Sequence, residues 1–115
     1  LPPFFDQHYF TEVYTPVPLT DSQKRHLRGL GHSLKPLIIV GDKGISEGLI
    51  EETRSTITHH ELIKVRVNAM DRESRDAMIA TLCEACKAEL IQRIGHVALL
   101  FKRNIDKPRI EIPAR

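Results

Sequence analysis

The strongest constraint in this chain is a strand–helix–strand pattern between residues 36 and 67, which reads PLIIVGDKGISEGLIEE at its start and LIKVRV at its end. Leu37 to Val40 is a four-residue apolar run, the length of a buried strand. Glycines bracket Asp42 and Lys43 in the corner that follows. Beyond that corner Ser46 is placed to cap a helix, with Ile45 and Ile50 at the two positions of a hydrophobic staple. Ile45, Leu49, Ile50, Thr53 and Ile57 fall on one helical stripe that runs to about Thr58. His59 and His60 then sit at the helix C-terminus, where the dipole favours a proton. Leu62 to Val67 alternates, with Ile63, Val65 and Val67 to one face and Lys64 and Arg66 to the other. Two strands joined at close spacing through a helix pair in parallel by a right-handed crossover.

The flanking segments complete the order. Thr20-Asp-Ser-Gln23 has the form of a capping box, which starts a helix over Asp21 to Gly31. Leu27 and Leu30 are expected inward there and Lys24, Arg25 and Arg28 outward, with Gly29, Gly31 and Pro36 marking the weakening end. Asp71 caps a third helix to about Ala88, with Met78, Ile79, Leu82, Cys83 and Cys86 on its apolar stripe. Ile91–Ile94 and Val97–Lys102 read as strands joined at the Gly95-His96 corner of a hairpin. Arg109–Ile112 is expected to add a short final strand before Pro113. The fold class is therefore α/β, in the order α-β-α-β-α-β-β, with a mixed four-stranded sheet and helices packed mainly on one face. The sheet face bearing Lys64 and Arg66 is then free to lie open, as a nucleic-acid platform or as a solvated surface.

Composition narrows the class. The 115 residues suit one domain, and 41% hydrophobic with 28% charged residues is ordinary for a globular protein. No apolar run approaches the roughly 18 residues of a membrane span, and no basic-then-apolar leader opens the chain. Two cysteines suit a reducing compartment, most simply the cytoplasm. Residues 1–18 stand apart as an N-terminal extension. They hold five of the six aromatic residues and four of the seven prolines, and they carry Asp6 and Glu12 but no Lys or Arg. The absent initiator Met fits a trimmed or partly ordered end, and docking on an apolar patch suits this segment better than stacking on bases. Residues 19–115 form the domain. Between Leu19 and Gly44, five basic residues (Lys24, Arg25, Arg28, Lys35, Lys43) face two acidic ones, a balance compatible with a polyanion or with a solvated helix face.

The loop Gly41-Asp42-Lys43-Gly44 is the principal candidate site. Glycines let backbone N–H groups approach an anion, and the helix N-terminus beyond adds positive potential. Asp42 opposes an anion and Lys43 compensates; a purely structural turn is the alternative. Neither the P-loop nor the dinucleotide fingerprint is present. Cys83-Glu-Ala-Cys86 falls in the last turns of its helix, where the dipole opposes a thiolate, and zinc lacks two further ligands at a supporting spacing. Small buried residues are the reading for both cysteines. No triad, paired acid and base, or metal set is legible, so no catalytic residue, cofactor or small-molecule substrate is assigned.

Several motifs agree in order and spacing with one known family. LTDSQKRHLRGLGHSLKPLIIVGDKGISEG, then HHELIKVRV, DRE and the late IGH closely resemble the bacterial YhbY-like proteins, which are stand-alone CRM domains (chloroplast RNA splicing and ribosome maturation). The match runs from Leu19 to about Arg115. The resemblance implies a compact α/β domain similar to the C-terminal domain of translation initiation factor three, binding structured RNA, with bacterial members linked to precursor large ribosomal subunits. It implies RNA contacts at Gly41, Asp42, Lys43 and Gly44, at the basic first helix through Lys24, Arg25 and Arg28, at Lys35, and at Lys64 and Arg66. The expected function is a non-catalytic, monomeric RNA-binding protein that assists large-subunit assembly. A protein-interaction module and a small C-x-x-C metal or redox protein are the alternatives.

Overall fold

The computed structural model describes residues 18–113, so the reading of residues 1–17 as an extension lies outside the described residues. Three helices and four strands follow in the expected order: α1 (Asp21–Gly31), β1 (Pro36–Val40), α2 (Glu47–His60), β2 (Leu62–Val67), α3 (Arg72–Cys86), β3 (Glu89–Ile94) and β4 (Val97–Phe101). The sheet order is β1-β2-β4-β3. β1 and β2 are parallel, as the crossover through α2 requires, and the other two pairings are antiparallel.

Local chemistry fixes the helix starts. The Thr20 hydroxyl accepts from Gln23 N–H at 3.1 Å while Thr20 N–H donates to the Gln23 amide oxygen at 2.9 Å, a complete capping box. Ser46 Oγ accepts from Leu49 N–H, and Asp71 Oδ1 accepts from Ser74 N–H. That last bond, with the Ser74 hydroxyl and the Arg75 charge, outweighs the opposing desolvation and holds the Asp71 carboxyl below the usual carboxylate range.

Two apolar clusters lie on opposite faces of the sheet. On one face α2 and α3 cover Ile38, Val40, Ile63, Val65, Val67, Ala98 and Leu100, contributing Ile57, Ile79, Leu82 and Cys86. Full burial of each large aliphatic side chain is worth about 1.5–3 kcal/mol, so this face anchors the fold. On the other face α1 sets Leu27 against Leu62, Ile91, Leu99 and Phe101. Gly31 brings the end of α1 onto the sheet so closely that a Cβ there would lie 2.7 Å from a Leu99 methyl.

Three expectations are corrected. Leu30 does not face inward: it is exposed, because α1 packs its apolar contact on the sheet through Leu27 and Gly31. β1 is an edge strand rather than a fully buried one, and with α1 short of it, Leu37 and Ile39 stand exposed. Arg109–Ile112 is not a strand. The Arg109 and Ile110 N–H groups donate to the Glu61 carboxylate instead of a ladder, and the Ile110 carbonyl accepts from Arg103. Residues up to Pro113 thereby cross to α1, where Gln23 Nε2 donates to the Pro113 carbonyl.

Candidate nucleic-acid interface

The strand register builds a surface on the α1 side of the sheet. Ile39, Arg66, Val97 and Ile94 form one row across all four strands, and Pro36, Lys64, Leu99 and Gln92 form the next. The row beyond, Leu62 with Phe101 and Glu89, lies under α1. The face expected to be open is therefore covered at one end and open at the other. The open end is a shallow cleft of about 360 Å³ whose wall includes His32, Lys64, Arg66 and Ile94. Lys64 is half-buried, with Nζ 3.5 Å from the His32 carbonyl oxygen. Arg66 is exposed and its Nε donates to Asn68 Oδ1 at 3.1 Å.

The Gly41–Gly44 loop leaves the open end of β1, directly after the Ile39–Arg66 row. It is a tight turn in which Gly44 N–H donates to the Gly41 carbonyl at 3.0 Å. That bond occupies one of the amides the glycine motif offers. Gly44 sits at φ +72°, a conformation L side chains rarely adopt. Asp42 and Lys43 are exposed at the tip, and Met78 of α3 lies beneath Gly44.

The remaining basic residues divide. Arg25 is exposed and Arg28 half-buried on α1, the helix that shares the open face. Lys24 lies at the covered end, with Nζ 3.6 Å from Glu89. That row is four residues along the strand from Arg66, about 13 Å. Lys35 is exposed just before β1, at the opposite end of that strand from Lys43. Lys64, Arg66 and the loop thus form one continuous group, Arg25 and Arg28 stand on the helix that covers the other end of this face, and Lys24 and Lys35 stand away from the loop.

Two features escaped the sequence reading. Arg75 and His96 meet at the same end of the sheet as the loop, Nη1 to Nδ1 at 3.2 Å; their separation of 21 residues left no local signal. Glu61, at φ +63° after α2, is fully buried and organises the tail. Both cysteines are free; Cys86 is buried in the core and Cys83 half-buried beside it. Burial, then the neighbouring Cys86, pushes the Cys83 thiol up to about 11, which disfavours a reactive thiolate. Among the described residues no group of three or more His, Cys, Asp or Glu is arranged to hold a metal ion, and no helix is long and apolar enough to cross a membrane.

The family described as the CRS1 / YhbY (CRM) domain matches residues 19–102, which include α1, the loop and all four strands. The chain belongs to the CRM domain family. A relative from Haemophilus influenzae, named RNA-binding protein, is 36% identical over 97 residues, covering 84% of this chain and 97% of its own. The Bacillus subtilis chain named probable RNA-binding protein YqeI is 33% identical over 95 residues, covering 83% and 99%. The solution structure of a Staphylococcus aureus protein, described as a candidate RNA-binding protein, superposes with a TM-score of 0.72 at 35% identity over 84% of this chain and all of that one. These relatives are named for binding RNA rather than for a reaction.

Proposed function

We propose that this chain is an RNA-binding protein without catalytic activity, and that its ligand is structured ribosomal RNA of the assembling large subunit. The observation that carries this reading is the uncovered end of the sheet, where Lys64 and Arg66 adjoin the Gly41–Gly44 turn beside α1. Cations on a flat, partly apolar face suit a phosphate backbone with neighbouring bases, whereas a small-molecule site is deeper and more enclosed. Lys43 and the Asp42 and Lys43 amides contact one stretch of backbone, and Arg25 and Arg28 a second. Such contacts position rather than specify, so selectivity comes from RNA shape. The domain at residues 19–115 acts as a monomer in the cytoplasm.

The purified chain should bind a labelled RNA stem–loop at fixed salt, and Lys64→Glu with Arg66→Glu should weaken that binding by about tenfold or more. Crosslinking in cells with sequencing of the bound RNA tests the assembly role, and a profile without ribosomal RNA enrichment would sink it. A second reading rests on Ile39 and Ile94, 60% and 69% exposed on the same face, which suit a protein partner. On that reading the purified chain shows no RNA affinity for the Lys64 and Arg66 substitutions to remove.

A further inference from the structure

Three connections converge at the open end of the sheet. Asn68 N–H donates to the Val40 carbonyl, just before the Gly41–Gly44 turn, and Val67 N–H donates to the His96 carbonyl in the hairpin corner. Arg75 stands one turn before Met78 on α3, the residue beneath Gly44. Its side chain is poorly served there. Nε is buried without a hydrogen-bond partner among the described residues. Arg54, Arg93 and Arg103 each reach a carboxylate, but Arg75 forms no ion pair with a described one.

What holds Arg75 is His96, and that contact has a competitor. His96 Nδ1 lies 3.2 Å from Arg75 Nη1 and 3.3 Å from the Val67 carbonyl oxygen. A guanidinium only donates and a carbonyl only accepts, so one ring nitrogen cannot satisfy both at once. In the neutral ring the Nε2–H tautomer leaves Nδ1 to accept from Arg75, and the guanidinium beside it favours that tautomer over the Nδ1–H form. Protonated Nδ1 donates to Val67 and turns an N–H toward the guanidinium, which releases it.

The surrounding charge sets the direction. Arg75 faces His96 from α3. Arg93 approaches from β3, donating to the Gly95 carbonyl, and is matched by Asp76 at 2.8 Å. Arg66 lies on β2, tied to Asn68. Asp71, at the start of α3, is engaged by Ser74 and attracts the Arg75 charge. A phosphate arriving among these cations offsets the charge that a proton on His96 adds. An incoming phosphate therefore draws Arg75 outward and stabilises the imidazolium together.

We propose that Arg75 is a phosphate-binding residue, stored against His96 in the free protein and transferred to an RNA phosphate as His96 takes up a proton. This rests on the RNA-binding reading and adds to it a contact coupled to proton uptake. The experiment is a salt titration of binding to a labelled RNA stem–loop at about pH 7.5 and about pH 5.5, across the range where a histidine changes charge. One added phosphate contact steepens the slope of log affinity against log salt by about 0.7–0.9. The wild-type slope should steepen by that amount at the lower pH. Arg75→Gln should remove the increment. His96→Ala, at an exposed corner that leaves the core intact, should show the steeper slope at both pH values, because Arg75 has lost its acceptor. Coincident slopes for wild type and Arg75→Gln at both pH values overturn the proposal. If Lys43→Asp still weakens binding in that case, the RNA reading stands. A wild-type chain that binds no RNA overturns both.

Discussion

Arg103 points its Nη1 at both carboxylate oxygens of the fully buried Glu61, 3.2 Å from each. The same carboxylate accepts N–H groups from Asn104 at 2.6 Å, Arg109 at 2.7 Å and Ile110 at 2.9 Å. Burial pushes the Glu61 carboxyl up, but these three amides and Arg103 outweigh it and hold it below the usual glutamate range. A folded-state value below the unfolded one contributes stability that is present above the ordinary glutamate pKa of about 4.3 and lost as pH falls through the lowered value. Glu61→Gln turns an amide NH₂ toward donors it cannot accept from, and should cost about 3 kcal/mol. Chemical denaturation should show that loss near neutral pH and a smaller gap between the two proteins as pH falls through the lowered value.

The two glycines of α1 should respond in opposite directions to alanine. Gly29 has open space where a Cβ would go, so Gly29→Ala should stabilise by about 0.5–1 kcal/mol through helix propensity. At Gly31 the Cβ would meet two Leu99 methyls at 2.7 and 2.8 Å, and Leu99 is itself buried. Overpacking of about 1–3 kcal/mol then exceeds the propensity gain, and thermal melting should show a lower midpoint. A stabilised Gly31→Ala would mean that α1 is not seated on Leu99.

The sequence carried those parts of the fold that local periodicity determines. The capping box at Thr20, the Ser46 and Asp71 caps, the alternation in β2 and the stripe on α2 each use residues within a few positions of one another. What it did not carry depends on partners distant along the chain. Leu30 has an inward spacing, yet α1 approaches through Gly31, a choice made by Leu99 some 68 positions away. Arg109–Ile112 has strand-forming residues, but Glu61 captures its amides across 48 and 49 positions. The candidate interface divides in the same way. The loop and the Lys64–Arg66 pattern were visible locally, while the covering of one end of that face by α1, the Lys24–Glu89 pair and the Arg75–His96 contact came only from tertiary placement.

Gly41 separates function from folding within the loop. It lies outside the left-handed region and nothing described stands within 4 Å of its Cβ position, so Gly41→Ala should change stability by less than about 0.5 kcal/mol. If RNA approaches the backbone there, the added methyl should weaken binding by about tenfold. Gly44→Ala, at φ +72°, should instead destabilise by about 1 kcal/mol or more. Full RNA affinity in Gly41→Ala would leave Lys43 alone as the loop's contact.

The basic residues of α1 should not contribute equally to RNA binding. Lys24 already faces Glu89 at 3.6 Å, at the covered end of the sheet, whereas Arg25 and Arg28 have no carboxylate partner among the described residues. Arg25→Ala with Arg28→Ala should therefore flatten the salt dependence of RNA binding by about 1.4–1.8, the equivalent of two phosphate contacts. Lys24→Ala should leave the slope close to wild type, because its loss also frees Glu89 without removing a phosphate contact. Titrating binding against salt for the three proteins checks this directly. Equal losses for Lys24 and for each arginine would mean that the RNA reaches across α1 to the covered end, and that the Lys24–Glu89 pair opens on binding.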